Sequence, residues 1–249
     1  MKKNLTSGTS PLVYARTAGV LYLVIFVAAV FAHFIVRAGL IVPGDATATA
    51  ENIMASESLF RLGFASDLIV FLIEVAQPVL LYMLLKPVSK PLAIVMMFGR
   101  LAMAAVQGVN LLNQFNAVLL LSGADYLAVF EPGQLHALAL LFLDSFHYGY
   151  DIALVFFGLH LAVLGYLVYR SGFFPRVLGV LLGLASLSYL VDSFTGFLFP
   201  AYDELVGQII IAPTVIAELA FTLWLLIRGV NVERWERSAG ANVEASSGT

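Results

Sequence analysis

Residues 137–169 read A-L-A-L-L-F-L-D-S-F-H-Y-G-Y-D-I-A-L-V-F-F-G-L-H-L-A-V-L-G-Y-L-V-Y. The run exceeds the ~20 residues that a helix needs to cross a bilayer core. It also carries Asp144, His147 and Asp151, although ionisable groups at bilayer depth are costly and rare. On a helix, at about 100° per residue, the three fall within about 60° of one another on one face. At about 1.5 Å rise per residue they sit around the middle of a ~30 Å core. The stretch therefore implies an all-α membrane protein whose spans bring polar groups together.

The rest of the chain agrees. Of 249 residues, 61% are hydrophobic and only 12% charged, against about 45–50% and about 25% in soluble domains. Span-length apolar runs occur at about 16–36, 62–85, 92–121, 137–169, 174–199 and 205–227. The expected architecture is a single membrane domain over 1–237, a bundle of six transmembrane helices. A polar segment, 238–249, is expected as a disordered cytoplasmic tail. No basic tract of the kind that binds nucleic acid is present. The absence of cysteine excludes disulfides, thiolate metal sites and thiol chemistry.

Orientation follows from the cations. Lys2, Lys3, Arg16, Lys86, Lys90, Arg170, Arg176, Arg228, Arg234 and Arg237 fall on one side of six crossings, and Arg37 and Arg61 on the other. The positive-inside rule puts both termini in the cytoplasm of a bacterial-type inner membrane. The turns K-P-V-S-K-P (86–91) and R-S-G-F-F-P-R (170–176) are short, and proline keeps a helix from running through them. The loop after the first run carries Pro43-Gly44, a turn signal, then Asp45 as N-cap of a helix over 46–58 that would also hold Glu51. Ile53, Met54 and Phe60 would lay that helix on the membrane surface or over the mouth of the bundle.

Other runs carry polar groups too. Asp67 and Glu74 are seven apart, with Gln77-Pro78 beyond them. Arg100, Gln107 and Gln114 recur at sevens, with Asn110 beside them. Asp192 and Glu218 lie in the last two runs. Lipid cannot satisfy such groups, so they must face the interior or water. Arg100 reads as the only permanent interior cation, against the acids Asp67, Glu74, Asp144, Asp151, Asp192 and Glu218. Burial disfavours charged carboxylates, so some of these acids must be protonated, wetted or bound to a cation.

Three readings compete. One is an acid-rich cavity that binds or conducts a proton, a cation or a small polar or amphiphilic molecule. Its core would be Asp144, His147, Asp151, Glu74 and Glu218, with Arg100 as counter-ion. A second is a metal-dependent intramembrane enzyme acting on a lipid-like substrate, with Asp144, His147, Asp151 and Glu74 around a divalent metal. The third is a structural polar network in which Arg100 pairs with Glu74 or Glu218. No cofactor is required by any motif, and the sequence fixes no oligomeric state.

Six stretches carry a family likeness: R-T-A-G-V-L-Y-L (16–23), P-G-D-A-T-A-T-A-E-N-I (43–53), L-F-R-L-G-F-A-S-D-L (59–68), G-Y-L-V-Y-R-S-G-F-F-P-R-V-L-G-V-L-L (165–182), Y-L-V-D-S-F (189–194) and E-L-A-F-T-L-W-L-L-I-R-G (218–229). Together they resemble the bacterial and archaeal membrane-protein family of the domain of unknown function 4386. The resemblance implies a six-span integral membrane protein and carries over no catalytic residue. It directs attention to the outer loop, with Asp45, and to Asp67, Asp192 and Glu218.

Overall fold

A computed structural model of the chain describes residues 10–247. Lys2, Lys3 and the tail residues 248–249 lie outside the described residues. Among those described, six helices are long and apolar enough to cross a membrane: Pro11–Leu40, Glu57–Leu85, Lys90–Leu120, Pro132–Arg170, Arg176–Leu198 and Leu205–Ile227. Each coincides with one of the apolar runs. Most extend past them, since a cap or a breaker ends a helix, not a fall in hydropathy. Pro132, for example, opens the fourth, because its missing N–H would be unsatisfied there anyway.

In chain order, α1 (Pro11–Val30) passes into a π-helical stretch, Phe31–Arg37, and a last turn, α2 (Ala38–Leu40). There follow α3 (Ala46–Ala55), α4 (Glu57–Leu85), α5 (Lys90–Leu120), α6 (Pro132–Arg170), α7 (Arg176–Leu198), α8 (Asp203–Ile227) and α9 (Val232–Ser247). The described residues form two compact units. The first takes residues up to Leu23, Val75–Ala102 and all from Leu154; the second takes Val24–Glu74 and Met103–Ala153.

In the first unit, α7 packs along α8, and small residues let backbones approach. A Cβ on Gly179 would lie 2.5 Å from the Gly165 carbonyl oxygen, and one on Gly165 2.7 Å from that of Gly179. This is the small-residue contact expected where hydrophobic burial alone cannot drive helix association. Ser186 Oγ donates to Gly158 O at 2.7 Å, tying α7 to α6 again. The segment read as a disordered tail continues α9 as far as Ser247. Three contacts start that helix. Arg234 N donates to Asn231 Oδ1 (3.0 Å), an asparagine cap. The Trp235 indole donates to Leu84 O (2.8 Å), and Arg234 to Gly172 O (3.0 Å).

In the second unit, Val36, Leu40, Ile53, Phe60, Ala117, Val118, Ala139 and Leu143 form one apolar cluster. It draws on the π-helical stretch and on α2 to α6, and α3 supplies Ile53 to it while Met54 stays exposed. Asp45 does cap α3, accepting from Ala48 N at 2.9 Å. The helix stops at Ala55, short of the expected residue 58, because the Ser56 N–H turns back to Asn52 and Ile53 and Glu57 starts α4.

Candidate functional site

The inward stripe of α5 organises the second unit. Gln107, Asn110 and Gln114, at i, i+3 and i+7, are all buried. Asn110 Nδ2 donates to the Phe146 carbonyl of α6 (2.8 Å) and to Gln107 Oε1 (3.3 Å), while its own Oδ1 accepts from Asn113 (3.0 Å). Gly149 makes room for this amide, since any Cβ there would overlap Asn110 Oδ1. Gln114 Nε2 donates to Asp67 Oδ2 at 3.4 Å.

Asp67 also holds Arg37, whose Nη1 lies 2.5 Å from Oδ2; the two side chains are 13% and 7% exposed. The guanidinium sits 5.3 Å from the Phe146 ring centre. Arg37 was expected in an outer connection and Arg100 as the only interior cation; the structure corrects both. The cause is local. Arg37 ends the π-helical stretch, and i→i+5 turns shift the register of whatever follows. Ser66 Oγ meets the same helix just upstream, donating to Ala28 O (3.1 Å).

The face of α6 that suggested an interior site is split. Asp144 and His147 are exposed, and Asp151 is buried. Leu143, Phe146, Ala153 and Phe157 form the neighbouring apolar stripe and are buried. That apolar stripe is the larger payload, so it takes the core and leaves Asp144 and His147 outside. His147 Nε2 lies 3.9 Å from Asp151 Oδ2, with side chains 60% and 8% exposed.

The first unit gathers a different set. Tyr189 OH donates to Glu218 Oε1 at 2.5 Å. The Tyr189 ring lies 5.0 Å from that of Phe157. Arg100 is buried, with its guanidinium 4.4 Å from the Phe157 ring centre and 5.9 Å from that of Tyr22. His160, on α6, is fully buried, and its Nδ1 lies 2.8 Å from Met96 O.

The remaining positions are simpler. Glu74 is buried on α4 and Asp192 half-buried on α7. Gln77 is fully buried, and neither atom of its amide has a hydrogen-bond partner among the described residues. Asp45 and Glu51 are exposed, with Asp45 serving as the cap. Among the described residues, no three histidine, aspartate or glutamate side chains gather closely enough to hold a metal ion.

Arg37 and His160 are the residues that sequence reasoning missed. Arg37 abuts an apolar run, and such a cation reads as a loop residue. His160 carried one signal: it lies within a span, where a polar group needs a partner.

The family described as "Domain of unknown function (DUF4386)" matches residues 17–229 of the chain. An Archaeoglobus fulgidus protein, itself described as "Uncharacterized protein", is 31% identical over 161 residues, covering 65% of this chain and 80% of the relative. No solved structure matches the chain. The chain belongs to the DUF4386 family, as a multi-pass membrane protein with charged residues buried inside its helices.

Proposed function

We propose that this member of the DUF4386 family binds and passes protons through its spans, with His147 and Asp151 as the exchanging pair and both termini in the cytoplasm. The observation that carries the reading is the asymmetry of that pair. One partner is exposed and the other buried, 3.9 Å apart on one helix. Two other acids within the spans are differently engaged. Asp67 is held by Arg37, a permanent cation, and Glu218 by the Tyr189 hydroxyl. His147 and Asp151 are both titratable, so a proton can move between them without leaving a permanent charge unpaired. The gap is longer than a hydrogen bond, so in this reading the proton crosses only when the exposed imidazole turns toward the carboxylate. Chains of acids and histidines inside membranes serve as proton relays in pumps and transporters.

The test is proton flux into liposomes carrying the purified protein and an internal pH-sensitive dye. Wild type is expected to dissipate an imposed pH gradient. Asp151→Asn is expected to abolish that flux while keeping the unfolding midpoint, and His147→Gln to slow it. Flux at the wild-type rate in Asp151→Asn would leave a purely structural network as the account of these groups.

A further inference from the structure

The turns joining α4 to α5 and α6 to α7 both belong to the first unit, and they line a polar depression of about 390 Å³. Its wall includes Pro87, Ser89, Leu92, Tyr166, Arg170 and Ser171. Ser171 is committed to the turn, donating to Val168 O and accepting from Phe174 N. Arg170 and, beside Ser89, Lys90 are exposed and make no ion pair among the described residues.

The cations around the depression lie on several elements. Lys86 lies over the Tyr82 ring and Arg176 over that of Tyr169, and Arg234 donates to a backbone carbonyl. None of these cations is ion-paired with an acid among the described residues. Glu233 of α9 lies against Arg237 at 3.9 Å. A concave, polar, positively charged wall at the ends of apolar helices lies at the depth of lipid headgroups. Tyr166, 52% exposed, stands one turn before Arg170 on the same face of α6, where aromatic rings prefer the interface. From Leu92 in the wall, exposed Val95 and Phe98 continue along α5 into the apolar span, a lane for acyl chains.

We propose that this depression holds the phosphate of an anionic phospholipid headgroup. The planar guanidinium of Arg170 presents paired donors that match phosphate oxygens, and Lys90 adds a second charge at the rim. Basic recesses between spanning helices bind anionic headgroups for this reason. The site is independent of the proton relay and uses none of its residues.

The experiment is native mass spectrometry of the full chain in non-ionic detergent, titrated with phosphatidylglycerol, phosphatidylcholine or inorganic phosphate. Wild type is expected to retain phosphatidylglycerol in preference to phosphatidylcholine. Arg170→Gln is expected to weaken retention roughly fivefold, and Arg170→Gln with Lys90→Gln roughly 25-fold, from the worth of each cation near a membrane surface. Arg61→Gln, an exposed cation of the other unit, is expected to change nothing. Equal retention of the two lipids, or unchanged retention in the double variant, overturns the proposal. Displacement of the lipid by inorganic phosphate at equal phosphate concentration overturns the lipid source and assigns the recess to a soluble phosphate. All substituted residues are exposed, and a matching unfolding midpoint confirms that the variants fold.

Discussion

Arg37 Nη1 lies 2.5 Å from Asp67 Oδ2, inside the second unit and thirty positions apart in sequence. Removing one partner of a buried pair strands the other charge, at a cost of about 3–5 kcal/mol. Arg37→Ala is therefore expected to lower stability by that order in a denaturant titration in detergent. Arg37→Ala with Asp67→Ala is expected to recover part of the loss. A double variant no more stable than Arg37→Ala would mean that the pair is not coupled.

The Asn110 amide occupies the space that a side chain on Gly149 would need. Gly149→Ala is expected to cost about 1–3 kcal/mol, as overpacking does. Asn110→Ala should abolish most of that penalty, which a double-mutant cycle reads directly. Equal penalties with and without Asn110 would place the clash elsewhere.

The α6–α7 contact rests on Gly165 and Gly179, whereas a Cβ on Gly183 would meet nothing within 4 Å. Gly179→Ala is expected to lower the unfolding midpoint, and Gly183→Ala, on the same helix, to leave it unchanged or raise it slightly. Thermal unfolding of both variants in lipid nanodiscs checks the contrast.

The Asp45 carboxylate is the N-cap of α3. Asp45→Ala is expected to cost about 1 kcal/mol. Hydrogen exchange should speed up first in the opening turn of α3, while the spans keep their protection.

The six spans were legible because bilayer thickness imposes a length and hydropathy that nothing else in the chain imitates. The α3 cap was legible because Pro43-Gly44-Asp45 encodes a turn followed by an acceptor. The α5 stripe was legible too: amides at helical spacing in a span have only one place to go. Helix facing was not. Whether Asp144 or Phe146 turns inward depends on the neighbours of α6, and the apolar stripe prevailed. The site of Arg37 was hidden by the π-helical stretch, which breaks the 3.6-residue register used to place it. The burial of His160 depends on Gly99, which lets the α5 backbone come close to the α6 backbone at that residue. The start of α9 depends on distant contacts, Trp235 with Leu84 and Arg234 with Gly172.

The most direct test of the relay is an infrared pH titration of the lipid-embedded chain, following the carbonyl stretch of protonated carboxyl groups. The expected result is a band that appears on acidification, is missing from Asp151→Asn, and moves along the pH axis in His147→Gln. An Asp151 carboxyl that keeps one protonation state throughout the range in which the protein stays folded would contradict proton exchange at this pair.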